Sequence, residues 1–287
     1  MAVKIMTDST SYIDKGTIEE LDISILPLYI SFKNESIKET EIENNVFYKR
    51  MEKEDIPVSS QPSIGELYMA MENVVKGGDD LLCIFLSSEM SGTYANACKV
   101  RDKILEKYNN AKIDIIDSRS NSMQLGFAVI AAARAAKEGK AIEEIKSIAE
   151  ANIKRSRFLF IPDNLTFLQK GGRIGGAGAL IGNILKVIPV LIVKDGKTAI
   201  LKTVRTKARA VKSMVDKMLQ DNLDYGIEEI IVHHINCYDQ AKELAGNLRE
   251  KLKLDNVGIA DIGPVIGLHV GPGAIGIVYY TNKEILD

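Results

Sequence analysis

The chain is poor in the residues that staple small domains or hold metals, with three cysteines and three histidines in 287 residues. Cys83, Cys98 and Cys237 are far apart, odd in number and form no CxxC pair. No disulfide framework is expected, and the pattern suits a reduced compartment. Neither sign of charge is in excess, since 37 basic and 39 acidic residues leave a net charge of −2. Without a basic stripe, nucleic acid is not expected as a partner. The first residues, MAVKIMTD, read as a strand and lack the charged and apolar regions of a secretory signal, so the expected location is the cytoplasm. Long apolar runs are scarce, with one exception at 174–193, IGGAGALIGNILKVIPVLIV, where Lys186 is the single charge. A mid-span lysine costs about 2.5–3.5 kcal/mol on insertion, and Pro189 and the glycines argue further against a membrane span. The expectation is an unusually apolar segment in a soluble protein.

Apolar residues make up 46% of the chain and charged residues 26%, enough to build cores and to exclude disorder. At ~150 residues per domain, the length suggests two domains. The first half alternates short apolar runs at 3–6, 23–30, 81–86 and 113–116 with helical stretches at 45–53, 64–75, 92–108, 122–137 and 141–154. That alternation marks parallel βα units. The second half reads differently: a strand at 158–161, a hairpin of 190–193 and 198–204 turning at Asp195-Gly196, then helix 206–219, strand 229–233, helix 239–252 and strands 257–262 and 275–281. The expected fold class is α/β in two domains. Residues 1–157 form a parallel-sheet α/β/α domain and residues 158–287 a mixed-sheet α/β domain, with no long linker or internal repeat.

Strands of the first half run into hydroxyl-rich loops: TDSTS at 7–11, SSEMSGT at 87–93 and DSRS at 117–120. Another such stretch, SSQPS at 59–63, precedes the helix at 64–75, where Ser63 and Glu66 have capping-box spacing. One serine suffices to cap a helix. Several together, at the carboxyl ends of parallel strands, would make a neutral, donor-rich cradle for a small anion. The chain has no GxxxxGK[ST] loop, no dinucleotide-binding fingerprint and no compact carboxylate cluster for magnesium. A carboxylate or phosphate on a small charged group is therefore favoured over a nucleotide.

Together with QKGGRI at 169–174 and IGPVIGLHVGPGA at 262–274, these segments resemble the DegV family of fatty-acid-binding proteins, which includes the FakB-type subunits of bacterial fatty acid kinase. The resemblance spans essentially the whole chain, in family order. It implies a long-chain fatty acid buried between two α/β domains and presented to a separate kinase catalytic subunit for acyl phosphate formation. It also implies no catalysis by this chain alone, no metal and no cofactor. The family's carboxylate-binding hydroxyls fall on Ser59, which replaces a threonine, and on Ser91. His269 and Arg173 fall where the family has residues associated with kinase contact and phosphoryl transfer, and Arg205 where it often has another basic residue.

Other readings of the same residues stay open at this level. Lys170, Arg173 and the glycines between them suit a phosphate cradle or a plain basic turn. Ser91, between a strand and a helix, suits a serine-dependent acyl hydrolase, although no GxSxG elbow exists and His269 has no evident orienting acid. A lipid chaperone without a kinase partner is the third. His269 reads as a loop residue between Gly267 and Gly271, and His233 and His234 as structural. Cys83 and Cys98 read as packing residues. The segment 174–193 is expected to line an acyl chain or to stack the domains, its glycines, Gly178 and Gly182 among them, allowing close approach.

Overall fold

The computed structural model describes residues 2–181 and 187–286. In chain order the elements of the first half are β1 (Val3–Asp8), α1 (Lys15–Leu21), β2 (Ile23–Leu26), β3 (Tyr29–Phe32), β4 (Glu35–Lys38), α2 (Asn44–Met51), β5 (Val58–Ser60), α3 (Ile64–Lys76), β6 (Asp80–Phe85), α4 (Thr93–Lys107), β7 (Ile113–Asp117), α5 (Ser122–Lys137) and α6 (Ile142–Arg155). The second half contributes β8 (Ser156–Ile161), α7 (Thr166–Lys170), β9 (Ile188–Lys194), β10 (Lys197–Val204), α8 (Lys207–Tyr225), β11 (Ile227–His234), α9 (Tyr238–Leu252), β12 (Gly258–Asp261), α10 (Pro264–Val270) and β13 (Ile275–Thr281).

The fold is α/β. A parallel four-stranded sheet has the order β2-β1-β6-β7, and a mixed six-stranded sheet the order β10-β9-β8-β13-β11-β12, in which only β11 and β12 run parallel. The β1 and β6 residues that face the helices, among them Ile5, Leu82 and Ile84, are fully or almost fully buried, as parallel strands covered on both faces must be. Ser63 caps α3 through a complete capping box with Glu66. The Asp195-Gly196 turn has φ of 50° and 80°, the left-handed pair that a type I′ hairpin needs.

Two expectations are corrected, for residues 23–30 and for His269. Residues 23–30 are not one strand: after Pro27 the chain leaves the parallel sheet, and β3 pairs with β4 and β5 in a separate antiparallel sheet. That small sheet was not foreseen, and its β5 carries Ser59. His269 lies on a helix, α10, every residue of which is buried. Residues 175–180 form 3-10 turns, β9 follows from Ile188, and Gly182 lies outside the described residues. Among the described residues no helix is long and apolar enough to cross a membrane. The letters of a GxGxxG do occur at Gly271, Gly273 and Gly276, but they lead into β13 and not into a helix, so the phosphate-binding geometry of that motif is absent.

Candidate functional site: a mainly apolar cavity with polar residues in its lining

Between the small sheet, α10 and the inner face of the six-stranded sheet lies a cavity with about 280 Å³ of space into which the centre of a water molecule fits. Its walls are mainly apolar: Leu28, Leu86, Phe158, Phe160, Leu168, Val193, Ile235, Ile262, Val265 and Ile266. Ser59, Gln61, Ser91, Arg173 and His269 also line it. The structure thus brings together four of the five residues singled out from the sequence. The fifth, Arg205, is exposed after β10 and does not line the cavity.

The polar residues arrive from four segments. Ser59 Oγ on β5 lies 2.8 Å from His269 Nε2 on α10. The ring's other nitrogen, Nδ1, is buried without a hydrogen-bond partner. Burial, reinforced by the nearby Arg173 charge, pushes the imidazole down to about 4, so it is neutral at pH 7. An orphaned buried N–H is worse than an orphaned acceptor, which assigns the single proton to Nε2. His269 then donates to Ser59, and the Ser59 hydroxyl proton is free to donate into the cavity.

Ser91 Oγ accepts the Thr93 N–H at 3.3 Å and lies 2.9 Å from Thr93 Oγ1, just ahead of α4. The amino end of this four-turn helix therefore opens beside the cavity, where its dipole favours negative charge. Arg173 donates to the carbonyls of Met90 at 3.1 Å and Gly171 at 2.6 Å. No carboxylate among the described residues pairs with it, and burial alone lowers its pKa from the ordinary value. A half-buried guanidinium held by neutral carbonyls leaves the positive charge uncompensated.

The KGGR segment now has a physical reading. A Cβ on Gly171 would sit 2.1 Å from His269 Nδ1, so that position must lack a side chain for the imidazole to be there. Gly172 has a φ of 69°, which turns the chain so that Arg173 can come back onto the Gly171 carbonyl.

Most of the other loop hydroxyls do not face the cavity. The buried Asp8 carboxylate accepts bonds from Thr10 N, Thr10 Oγ1 and Leu86 N, closing the TDST loop on itself. Asp117 likewise holds Ser88 and the Arg119 N–H. These residues shape the loops, and only Ser91 of the strand-end hydroxyls lines the space. His233 also lines it, but its Nε2 accepts the Met123 N–H at 3.2 Å and its Nδ1 donates to Ala260 O at 3.1 Å. Burial pushes its pKa down to about 4, so it is a neutral, satisfied wall residue. Among the described residues no cluster of ligating side chains could hold a metal.

Set beside known proteins, the chain matches along its length. The family model described as "Uncharacterised protein, DegV family" covers residues 2–282. A DegV domain-containing protein of Clostridium acetobutylicum is 60% identical over 285 residues, covering 99% of this chain and 100% of the relative. Among solved structures, DegV of Bacillus subtilis, titled a fatty acid binding protein, superposes with a TM-score of 0.86 at 32% identity, over 98% of this chain and 99% of that one. A stearic acid-binding protein from Eubacterium ventriosum superposes at 0.87 with 26% identity, over 98% of both chains. The motifs, the order of the elements and this match over nearly every residue lead to one conclusion: the chain belongs to the DegV family.

Proposed function

We propose that the protein binds one long-chain fatty acid, with the carboxylate at Ser59 and Ser91 and the acyl chain along the apolar walls. One observation carries this reading: a mainly apolar cavity has in its lining two hydroxyls, a neutral imidazole and an unpaired guanidinium. That pattern suits an amphiphile with one negative head and an uncharged tail, and the fatty acids named for the Bacillus subtilis and Eubacterium ventriosum proteins support it. The chain is in this reading a carrier of the cytoplasm, built of domains 1–157 and 158–287. It presents the bound carboxylate to a separate kinase catalytic subunit, and a carboxylate oxygen attacks the terminal phosphorus of the kinase's nucleoside triphosphate, breaking its bond to the nucleoside diphosphate, which leaves. Arg173 stabilises the charge that develops on the transferring group, His269 holds the head group in place, and the exposed Arg205 faces the kinase. Hydrolysis by this chain is disfavoured because the Ser91 hydroxyl meets Thr93 and no base, and His269 has no orienting carboxylate.

The test is reconstitution of the loaded protein with a fatty acid kinase catalytic subunit and ATP. Acyl phosphate is expected from the native protein. Arg173→Ala is expected to retain fatty acid and to lose phosphoryl transfer by about a hundredfold or more, as removal of a donor to a developing anion does elsewhere. No acyl phosphate from the native protein would leave a lipid carrier without a kinase. Partner-free ester cleavage abolished by Ser91→Ala would overturn the reading in favour of a hydrolase.

A further inference from the structure

Glu39 lies in a 3-10 turn between β4 and α2, in a run of charges that reads from sequence as a solvated surface, yet it is 6% exposed. Its carboxylate is fully engaged. Oε1 accepts the Tyr12 O–H at 2.9 Å and the Val265 N–H at 2.8 Å, and Oε2 accepts the Ser9 O–H. Tyr12 in turn accepts the Ile266 N–H at 3.1 Å. Val265 and Ile266 open α10, whose N-cap residue, Gly263, has no side chain to offer.

The first N–H groups of any helix lack partners within it. In α10 they are met from outside, by a carboxylate and a phenol from two other segments of the chain. The carbonyls just ahead of the helix are held as well, since the Tyr48 hydroxyl lies 2.8 Å from Ile262 O and 3.3 Å from Gly263 O, but these bonds leave the N–H groups of Val265 and Ile266 to Glu39 and Tyr12. Sideways the helix is fixed by contact, because a Cβ on Gly267 would lie 2.0 Å from Tyr48 Oη. What α10 carries is His269 and three apolar wall residues of the cavity, Val265, Ile266 and Val270.

We propose that Glu39 is a positioning residue for the carboxylate site: by capping α10 from outside, together with Tyr12, it holds His269 in register with Ser59. This deepens the fatty-acid reading and rests on it. Burial pushes the Glu39 carboxyl up to about 7, which is the cost of placing it there.

The experiment compares the affinities of hexadecanoic acid and hexadecan-1-ol, which share a chain and differ in head group, for native protein, Glu39→Ala and Glu39→Gln. Glu39→Ala is expected to lower the acid-over-alcohol preference about tenfold, the scale of one charge-assisted hydrogen bond. Glu39→Gln keeps a carbonyl for Val265 and Tyr12 and is expected to restore most of the preference. Should Glu39→Ala not fold, Tyr12→Phe, which removes the acceptor for Ile266 and one donor to Glu39 but keeps the Glu39–Val265 bond, is expected to show the same loss in smaller degree. A folded Glu39→Ala with unchanged preference, or with both ligands weakened equally, overturns the proposal. If the native protein binds neither ligand, the fatty-acid reading fails on its own. The ring-nitrogen NMR shifts of His269 in ligand-free protein then decide for Glu39: the Nε2–H signature is expected to be lost in Glu39→Ala, and its persistence contradicts the proposal.

Discussion

If the protein holds a fatty acid as proposed, a ten-carbon acid is expected to bind about three to four orders of magnitude more weakly than its sixteen-carbon homologue, because six buried methylenes at ~0.8 kcal/mol each amount to roughly 5 kcal/mol. No change at the head group is expected to match that. A hydrogen bond to a charged group is worth about 1.5–3 kcal/mol net, and the site offers few. The walls that supply the tail energy come from both halves of the chain: Leu28 and Leu86 from the first, Phe158, Phe160, Val193, Ile235 and Ile262 from the second. On the proposed reading, affinity is set by length, and the hydroxyls, His269 and Arg173 set which end of the ligand lies where. Calorimetric titration of a series of saturated acids checks this. A loss of less than tenfold between sixteen and ten carbons would mean that the tail is not buried in this cavity.

The second large effect is at the head group, and it separates the two ends of the ligand. Ser59→Ala removes the hydroxyl that His269 leaves free to donate and is expected to weaken acid binding about ten- to a hundredfold, with the corresponding alcohol little affected. Gly171→Ala is expected to do the same without touching any polar group. The new methyl would occupy space 2.1 Å from His269 Nδ1, and the ring cannot retreat with its helix. Gly267 of α10 lies against Tyr48, and Gly271 just past it lies against Phe167, where a Cβ would come within 2.3 Å. The imidazole must then leave Ser59. Backbone strain is not a confounder, since Gly171 has a φ of −75°. Equal affinities of the native and Gly171→Ala proteins for the acid, with equal His269 shifts, would contradict the assignment of His269 to the head-group site.

Local chemistry was readable from the sequence where a short segment fixes its own geometry. The Asp195-Gly196 hairpin, the Ser63–Glu66 capping box and the buried strands β1, β6 and β7 are of this kind. The break at Pro27 was not readable, because β2 and β3 have similar composition and only their partners differ. Helix α10 was missed because seven wholly buried residues between glycines show neither amphipathic period nor charged caps. Its caps, Glu39 and Tyr12, lie at the other end of the chain. The hydroxyl-rich loops drew attention to Ser59 and Ser91, and both line the cavity. Which of their neighbours are consumed in shaping the loops depends on contacts such as Asp8 with Leu86 and Ser9 with Glu39, invisible to local pattern. The KGGR motif was visible while its reason, a ring brought in from α10, was not. The apolar stretch at 174–193 contributes Val193 to the cavity wall through β9.

The most direct measurement is mass spectrometry of a denaturing organic extract of the purified protein, quantified against protein. The expected result is about one long-chain fatty acid per chain, retained through purification because the tail energy makes release slow. Finding no fatty acid in the extract, and no binding when hexadecanoic acid is added to the extracted and refolded protein, would contradict the account at its centre.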